Sequence, residues 1–205
     1  MSATFQPATG QAHHAPFAAG HHPIWLARHL LCEIDITPRL SASEFVAWSA
    51  SYDKAGVTGQ IPSELADLVA RGGVVVTSHL PRALQTAALA GCPDPVVEPA
   101  LARIPRPRMP FPVLRMRPLT WRGLGRLLWL LGWSAGTENR RSARARAVRA
   151  AERLIELARH REVIVIGHGY QNQMVAQELR RRGWRGPRLP PKRPGFPTRY
   201  DPPPP

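Results

Sequence analysis

Apolar and polar positions along the chain follow two rhythms. Ile24-Trp25-Leu26-Ala27, Val74-Val75-Val76 and Val163-Ile164-Val165-Ile166 are apolar at every position, the pattern of strands covered on both faces. Between them apolar residues recur at three- and four-residue spacing, as in amphipathic helices. The pattern predicts strands at 23–28, 74–77 and 163–166, and a shorter one at 95–98. A capping box, Ser41-Ala-Ser-Glu44, opens a helix to about Lys54. Further helices are predicted at 63–71, closed by Gly72-Gly73, and at 81–89, with Pro81 in the first turn. Three more fall at 119–131, at 139–160 and after His168 to about 182. In the helix at 139–160, Val148, Ala151, Leu154, Ile155 and Ala158 form an apolar stripe, with Arg140, Arg141, Arg144 and Arg153 largely off it. Prolines at 105, 107, 110, 112 and 118 exclude regular structure from 103–118. Fully apolar strands alternating with helices predict an α/β fold: a three-layer sandwich with a mainly parallel central sheet.

Composition sets the boundaries. A chain of 205 residues with 43% hydrophobic content supports one domain with a substantial core. Residues 1–20 lack apolar periodicity and read as a flexible tail, 21–185 as the domain, and 186–205 as an unpacked Pro/Arg-rich tail. The doublets His13-His14 and His21-His22 lack the spacing and acidic partners of a metal site, so no metal or cofactor is expected. Cys32 and Cys92 give no disulfide framework, no apolar run has the length of a membrane span, and the start lacks a secretion-signal pattern. A cytoplasmic protein without a membrane partner is the expectation. The net charge of +14 favours anions, whether phosphorylated small molecules, nucleic acid or acidic lipid. An arginine-rich composition also follows from a GC-rich genome, so charge alone does not choose among them.

The strand ends narrow the choice. The first strand ends in Arg28-His29, the second in Ser78-His79-Leu80-Pro81-Arg82 and the last in Gly167-His168-Gly169. In open α/β sheets ligands bind beyond the carboxyl ends of parallel strands. Arginines and histidines gathered there are tolerable only around an anion, and the helix starting near Pro81 is expected to add backbone N–H groups. The implied ligand is a phosphoryl group.

These stretches resemble the histidine phosphatase superfamily, also called phosphoglycerate-mutase-like. "LARHLL" resembles its Arg-His-Gly strand end, "SHLPRALQTA" its Ser-x-Leu-x-Arg-Ala-x-Gln-Thr-Ala stretch and "VIVIGHGYQNQMVA" its late His-Gly motif, over about residues 23–182. The resemblance implies a phosphoglycerate-mutase-like fold and a metal-independent phosphatase that forms a phosphohistidine on His29. Arg28, Arg82 and His168 would line its phosphate pocket, with His168 counted as catalytic and the two arginines as phosphate-binding. Gln85 and Thr86 read as helix-packing positions. The substrate would be a phosphomonoester or phosphoramidate, carried by a phosphorylated small molecule or a phosphoprotein. Two positions depart from the pattern: Leu30 stands where the family has Gly, and Arg103-Ile104 where many members carry a glutamate general acid. Glu98 and His79 are the candidates for a substitute acid or a pocket rim. Two other readings stand: the missing acid and Leu30 suggest a member that binds phosphorylated ligands without turnover, and the net charge of +14 suggests a basic nucleic-acid-associated protein. Trp121, Trp129 and Trp133 are expected to form a packed face, and Arg180 to Arg185 a solvated helix end.

Overall fold

The computed structural model describes residues 20–191 and 193–204; the tail predicted at 1–20, save its last residue, lies outside them with the His13-His14 doublet. In chain order the elements begin with β1 (Ile24–Arg28), β2 (Leu31–Cys32), α1 (Ala42–Lys54), β3 (Val57–Thr58), α2 (Ser63–Ala70) and β4 (Val74–Thr77). They continue with α3 (Pro81–Leu89), β5 (Val96–Val97), a 3₁₀ turn (Pro99–Leu101), α4 (Pro118–Leu130) and α5 (Arg140–Ala158). The last are β6 (Val163–Gly167), α6 (Gly169–Arg181) and β7 (Thr198–Tyr200). The main sheet has the order β5-β4-β6-β1-β7, parallel except for β7, and β2 pairs with β3 in a small second sheet.

Side chains that alternate along a strand face opposite sides of the sheet, which explains why the strands are apolar throughout. Ile24, Leu26, Val76, Val163 and Val165 meet Ala147, Ala151 and Leu154 of α5 and Val175 and Leu179 of α6. Ala27, Val75, Ile164 and Ile166 meet Leu65, Leu68 and Val69 of α2 and Ala87 of α3 on the other face. Helix, sheet and helix form the three layers. The helix starts follow local chemistry. The Ser41 hydroxyl accepts from the Glu44 N–H at 3.3 Å while the Glu44 carboxylate accepts from the Ser41 N–H at 2.6 Å, closing the capping box. Asn139 caps α5 through the Ser142 N–H at 2.9 Å. Beyond the sheet edge, α1 and α4 pack through Phe45, Trp48, Tyr52 and Trp121. Trp121 and Trp129 are buried as expected of a packed face, but Trp133 lies past the end of α4 and is 44% exposed.

The C-terminal segment corrects the expectation of an unpacked tail at 186–205. Thr198–Tyr200 adds an antiparallel edge strand to β1, and Tyr200 is fully buried with its hydroxyl donating to the Pro187 carbonyl at 2.8 Å. Just before it, the Gly195 N–H donates to the Arg28 carbonyl at 2.7 Å. Gly195 has φ +77°, and a Cβ there would press on the Pro62 ring and the Leu30 side chain. The domain therefore extends past 185, and this segment braces the end of β1. His21, at the start of the domain, packs edge-on against Trp184 at 6.0 Å between ring centres. The solvated helix end expected at Arg180 to Arg185 is tied down in part: Arg182 pairs with Glu178 and Glu152, and Arg185 bridges to Asp201. No helix among the described residues is long and apolar enough to cross a membrane.

Candidate active site

Register brings the three strand ends together. Arg28 is paired with Gly167 and Thr77 with Ile166, so His29, His168 and Ser78 follow at one edge of the sheet. The His29 N–H continues the ladder to the Gly167 carbonyl at 3.0 Å. Gly167 is required by close packing, since a Cβ there would run into the Asn172 side chain, whose amide donates to the Ala27 carbonyl at 2.9 Å.

The middle motif fixes the turn after His29. Thr86 lies one helical turn after Arg82 on α3; its hydroxyl donates to the Arg82 carbonyl at 2.6 Å and accepts from the Leu30 N–H at 3.1 Å. Gln85 accepts from the Val57 N–H at 3.1 Å, so both motif residues hold neighbouring segments in place. Leu30 is buried and packs toward Gly195, outside the cavity beside His29. A side chain at the glycine position therefore leaves the site open, because the C-terminal segment receives it.

That cavity has a volume of about 710 Å³. His29 and His168, Arg28 and Arg82 all line it, and the two imidazole centres are 5.1 Å apart. The His29 Nδ1 lies 2.5 Å from the Leu30 carbonyl oxygen, which can only accept. The ring proton is therefore assigned to Nδ1, leaving the lone pair on Nε2. Burial, then Arg82, Arg28 and Arg122, outweigh that hydrogen bond and pull the imidazole down to about 3, so His29 is neutral at physiological pH. Burial and the neighbouring His29 and Arg82 also hold His168 well below its usual value. Its Nε2 is 2.8 Å from the Ser78 hydroxyl, and its Nδ1 is buried without a protein partner.

Arg82 is fully buried. One terminal nitrogen donates to the Tyr52 carbonyl and to Asp53, each at 3.3 Å, while Nε and Nη2 find no acceptor among the described residues. Asp53 is also held by Arg103 through two hydrogen bonds. Burial raises its carboxyl, but Arg103, Arg82 and Arg106 outweigh that and keep it below the ordinary carboxylate range. The helix N-terminus at the cavity is that of α6, through Gly169 and Tyr170; α3, expected there from the sequence, contributes Arg82 alone. Glu98 caps the 3₁₀ turn by accepting the Ala100 N–H at 2.9 Å and does not line the cavity. His79 is exposed and does not line it either, so neither candidate for an acid or rim stands at the site.

The sequence reading missed the second half of the lining. Arg103, Arg106, Arg122 and Arg126 join Arg28 and Arg82 around the cavity, and no Asp or Glu among the described residues lines it. Arg122 and Arg126, one turn apart on α4, were the available signal.

Neutral buried histidines imply a pH-dependent stability. Unfolded, His29 titrates near 6.5; folded, near 3. Between these values the unfolded chain binds more protons, so the ligand-free protein should lose stability as pH falls through this window and keep this contribution above it. Denaturant midpoints from pH 7 to pH 5 should fall more steeply for wild type than for His29→Asn. Parallel curves would contradict the assignment.

The sheet order and the helical layers are those of the phosphoglycerate-mutase-like fold. Three solved structures are similar to this chain. The Mycobacterium tuberculosis open reading frame Rv3214 product is 20% identical over 77% of this chain and 79% of its own, with a TM-score of 0.55. The mycobacterial glucosyl-3-phosphoglycerate phosphatase Rv2419c is 15% identical, covering 77% of this chain and 79% of its own, with a TM-score of 0.50. A candidate alpha-ribazole-5'-P phosphatase from Escherichia coli K-12 is 18% identical over 79% of both chains, with a TM-score of 0.50. No protein-family model and no curated protein matches the chain.

Proposed function

We propose that the protein is a metal-independent phosphatase acting through a phosphohistidine on His29. The observation that carries this reading is a neutral imidazole with its Nε2 lone pair free, set in a cavity whose charged lining, among the described residues, is arginine. Nε2 attacks the phosphorus, and the bond to the leaving oxygen or nitrogen breaks as the N–P bond forms. Arg28, Arg82 and the α6 N-terminus hold the phosphoryl oxygens, and the unpaired Nε and Nη2 of Arg82 are donors ready for them. His168, kept neutral and close to the Ser78 hydroxyl, contributes its buried Nδ1 edge to the same group. Water then attacks the phosphorus, the N–P electron pair returns to Nε2, and phosphate leaves. A cavity of about 710 Å³ has the size of a small-molecule site, which favours a phosphorylated metabolite over a phosphoprotein.

Saturable release of phosphate from p-nitrophenyl phosphate in the presence of EDTA tests the reading. Its leaving group needs no protonation, so the missing acid does not mask turnover. Tight phosphate binding without release would favour the second reading, a phospho-ligand binder, for which the cavity's lack of a carboxylate speaks.

A further inference from the structure

The phosphoryl pocket accounts for Arg28 and Arg82 but leaves Arg106, Arg122 and Arg126 in the same cavity without a role. The three are contiguous with it. The guanidinium carbons of Arg82, Arg106 and Arg122 lie 4.9, 5.0 and 5.2 Å from the centre of one ring, Tyr52. Arg126 sits 4.0 Å from the Tyr170 ring centre and 4.9 Å from that of Trp129. Aromatic faces hold these cations in place without neutralising them. Asp53, the carboxylate in hydrogen-bond contact with the cluster, is taken up by Arg82 and Arg103. Nη1 of Arg106 and of Arg126 are buried and have no acceptor among the described residues. Burial, with Arg103 and Arg122 alongside, outweighs the attraction of Asp53 and pulls the Arg106 guanidinium down to about 9, so it stays charged at neutral pH beside a carboxylate that Arg82 and Arg103 already bind.

We infer that Arg106, Arg122 and Arg126 form a second anion subsite for the leaving group, and that the substrate is a phosphoanhydride, cleaved at its terminal phosphoryl group. The inference rests on the phosphatase reading above and adds the substrate class. Two observations converge on it. No carboxylate lines the cavity, so the leaving group must depart without a proton from an acidic side chain. The leaving group must also be an anion, because it departs among these guanidiniums. An alkyl phosphate fails the first condition, since its alkoxide needs that proton. A phosphoramidate meets the first and fails the second, because the amine or imidazole it releases carries no negative charge for the arginines to hold. A phosphate leaving group meets both.

In the step, the His29 Nε2 lone pair forms the N–P bond. The bridging P–O bond breaks with its electron pair on the bridging oxygen, now part of a phosphate anion held by Arg106, Arg122 and Arg126. Water then displaces Nε2, keeping one proton on the inorganic phosphate and giving the other to the leaving phosphate or to solvent.

Kinetics of phosphate release with inorganic tripolyphosphate, glycerol 3-phosphate, phosphoimidazole and p-nitrophenyl phosphate tests this. Wild type should show kcat/KM for tripolyphosphate at least about 10²-fold above glycerol 3-phosphate, the scale of a general acid's contribution, and above phosphoimidazole as well. Arg106→Gln/Arg126→Gln should reduce the tripolyphosphate to p-nitrophenyl phosphate ratio by about tenfold or more, the scale of lost charge-assisted hydrogen bonds. Turnover of p-nitrophenyl phosphate with glycerol 3-phosphate or phosphoimidazole preferred over tripolyphosphate, or an unchanged ratio in the double variant, overturns the inference and leaves the phosphatase reading standing. No turnover of any of the four overturns both.

Discussion

A His29→Asn variant should lose phosphatase activity by about 10⁴-fold or more, the scale seen when a covalent nucleophile is removed from a preorganised site. Asparagine keeps a short polar group with an N–H able to reach the Leu30 carbonyl, which His29 contacts at 2.5 Å, so the turn should survive. What is removed is the Nε2 lone pair. Arg28, Arg82 and the α6 N-terminus remain, so inorganic phosphate should still bind, with the loss falling on kcat. Steady-state kinetics and phosphate titration on the same preparation separate the two effects. Activity within tenfold of wild type would show that another group accepts the phosphoryl.

Ending the chain at Arg193 should cost most of the protein's stability. The removed residues supply β7, the buried ring of Tyr200, and the Gly195 N–H on the Arg28 carbonyl. Loss of one buried aromatic side chain alone costs about 3–5 kcal/mol, against about 5–15 kcal/mol for a whole domain. The truncated chain would also expose the edge of β1. Urea denaturation is the measurement: the shortened protein should be unfolded, or have a midpoint far below that of the full chain. Tyr200→Ala, which leaves the backbone in place, should lower the midpoint by a smaller amount. An unchanged midpoint in both would mean that the segment does not brace the sheet.

The second expectation turns on how the C-terminal region and β1 meet, the place where the sequence was least informative. Strands such as Val163-Ile164-Val165-Ile166 were legible because burial on two faces demands apolar residues at every position. Pro81 and the Ser41-Glu44 box marked helix starts through local backbone chemistry. Thr198–Tyr200 was hidden: an edge strand of three residues between prolines carries no periodicity, and only its contact with β1 defines it.

The candidate site was legible in the same unequal way. Arg28, His29, Arg82 and His168 stand at or just past strand ends, where topology alone brings residues together. Arg106, Arg122 and Arg126 reach the cavity from a proline-broken segment and from α4, whose placement depends on packing against Phe45, Trp48 and Tyr52. Read without that packing, Arg103 and Ile104 marked only a missing acid. Leu30 reads only as a departure from the glycine pattern for the same reason, because the segment that receives it lies some 165 residues away in sequence, at Gly195.

The most direct measurement is capture of the covalent intermediate. Wild type mixed with radiolabelled acetyl phosphate, quenched in alkali and digested, should yield a phosphorylated peptide containing His29. Its label should be stable to base, labile to acid, located on Nε2 and lost at the rate of turnover. Steady phosphate release with no label on His29, or with the label on another residue, would contradict the account.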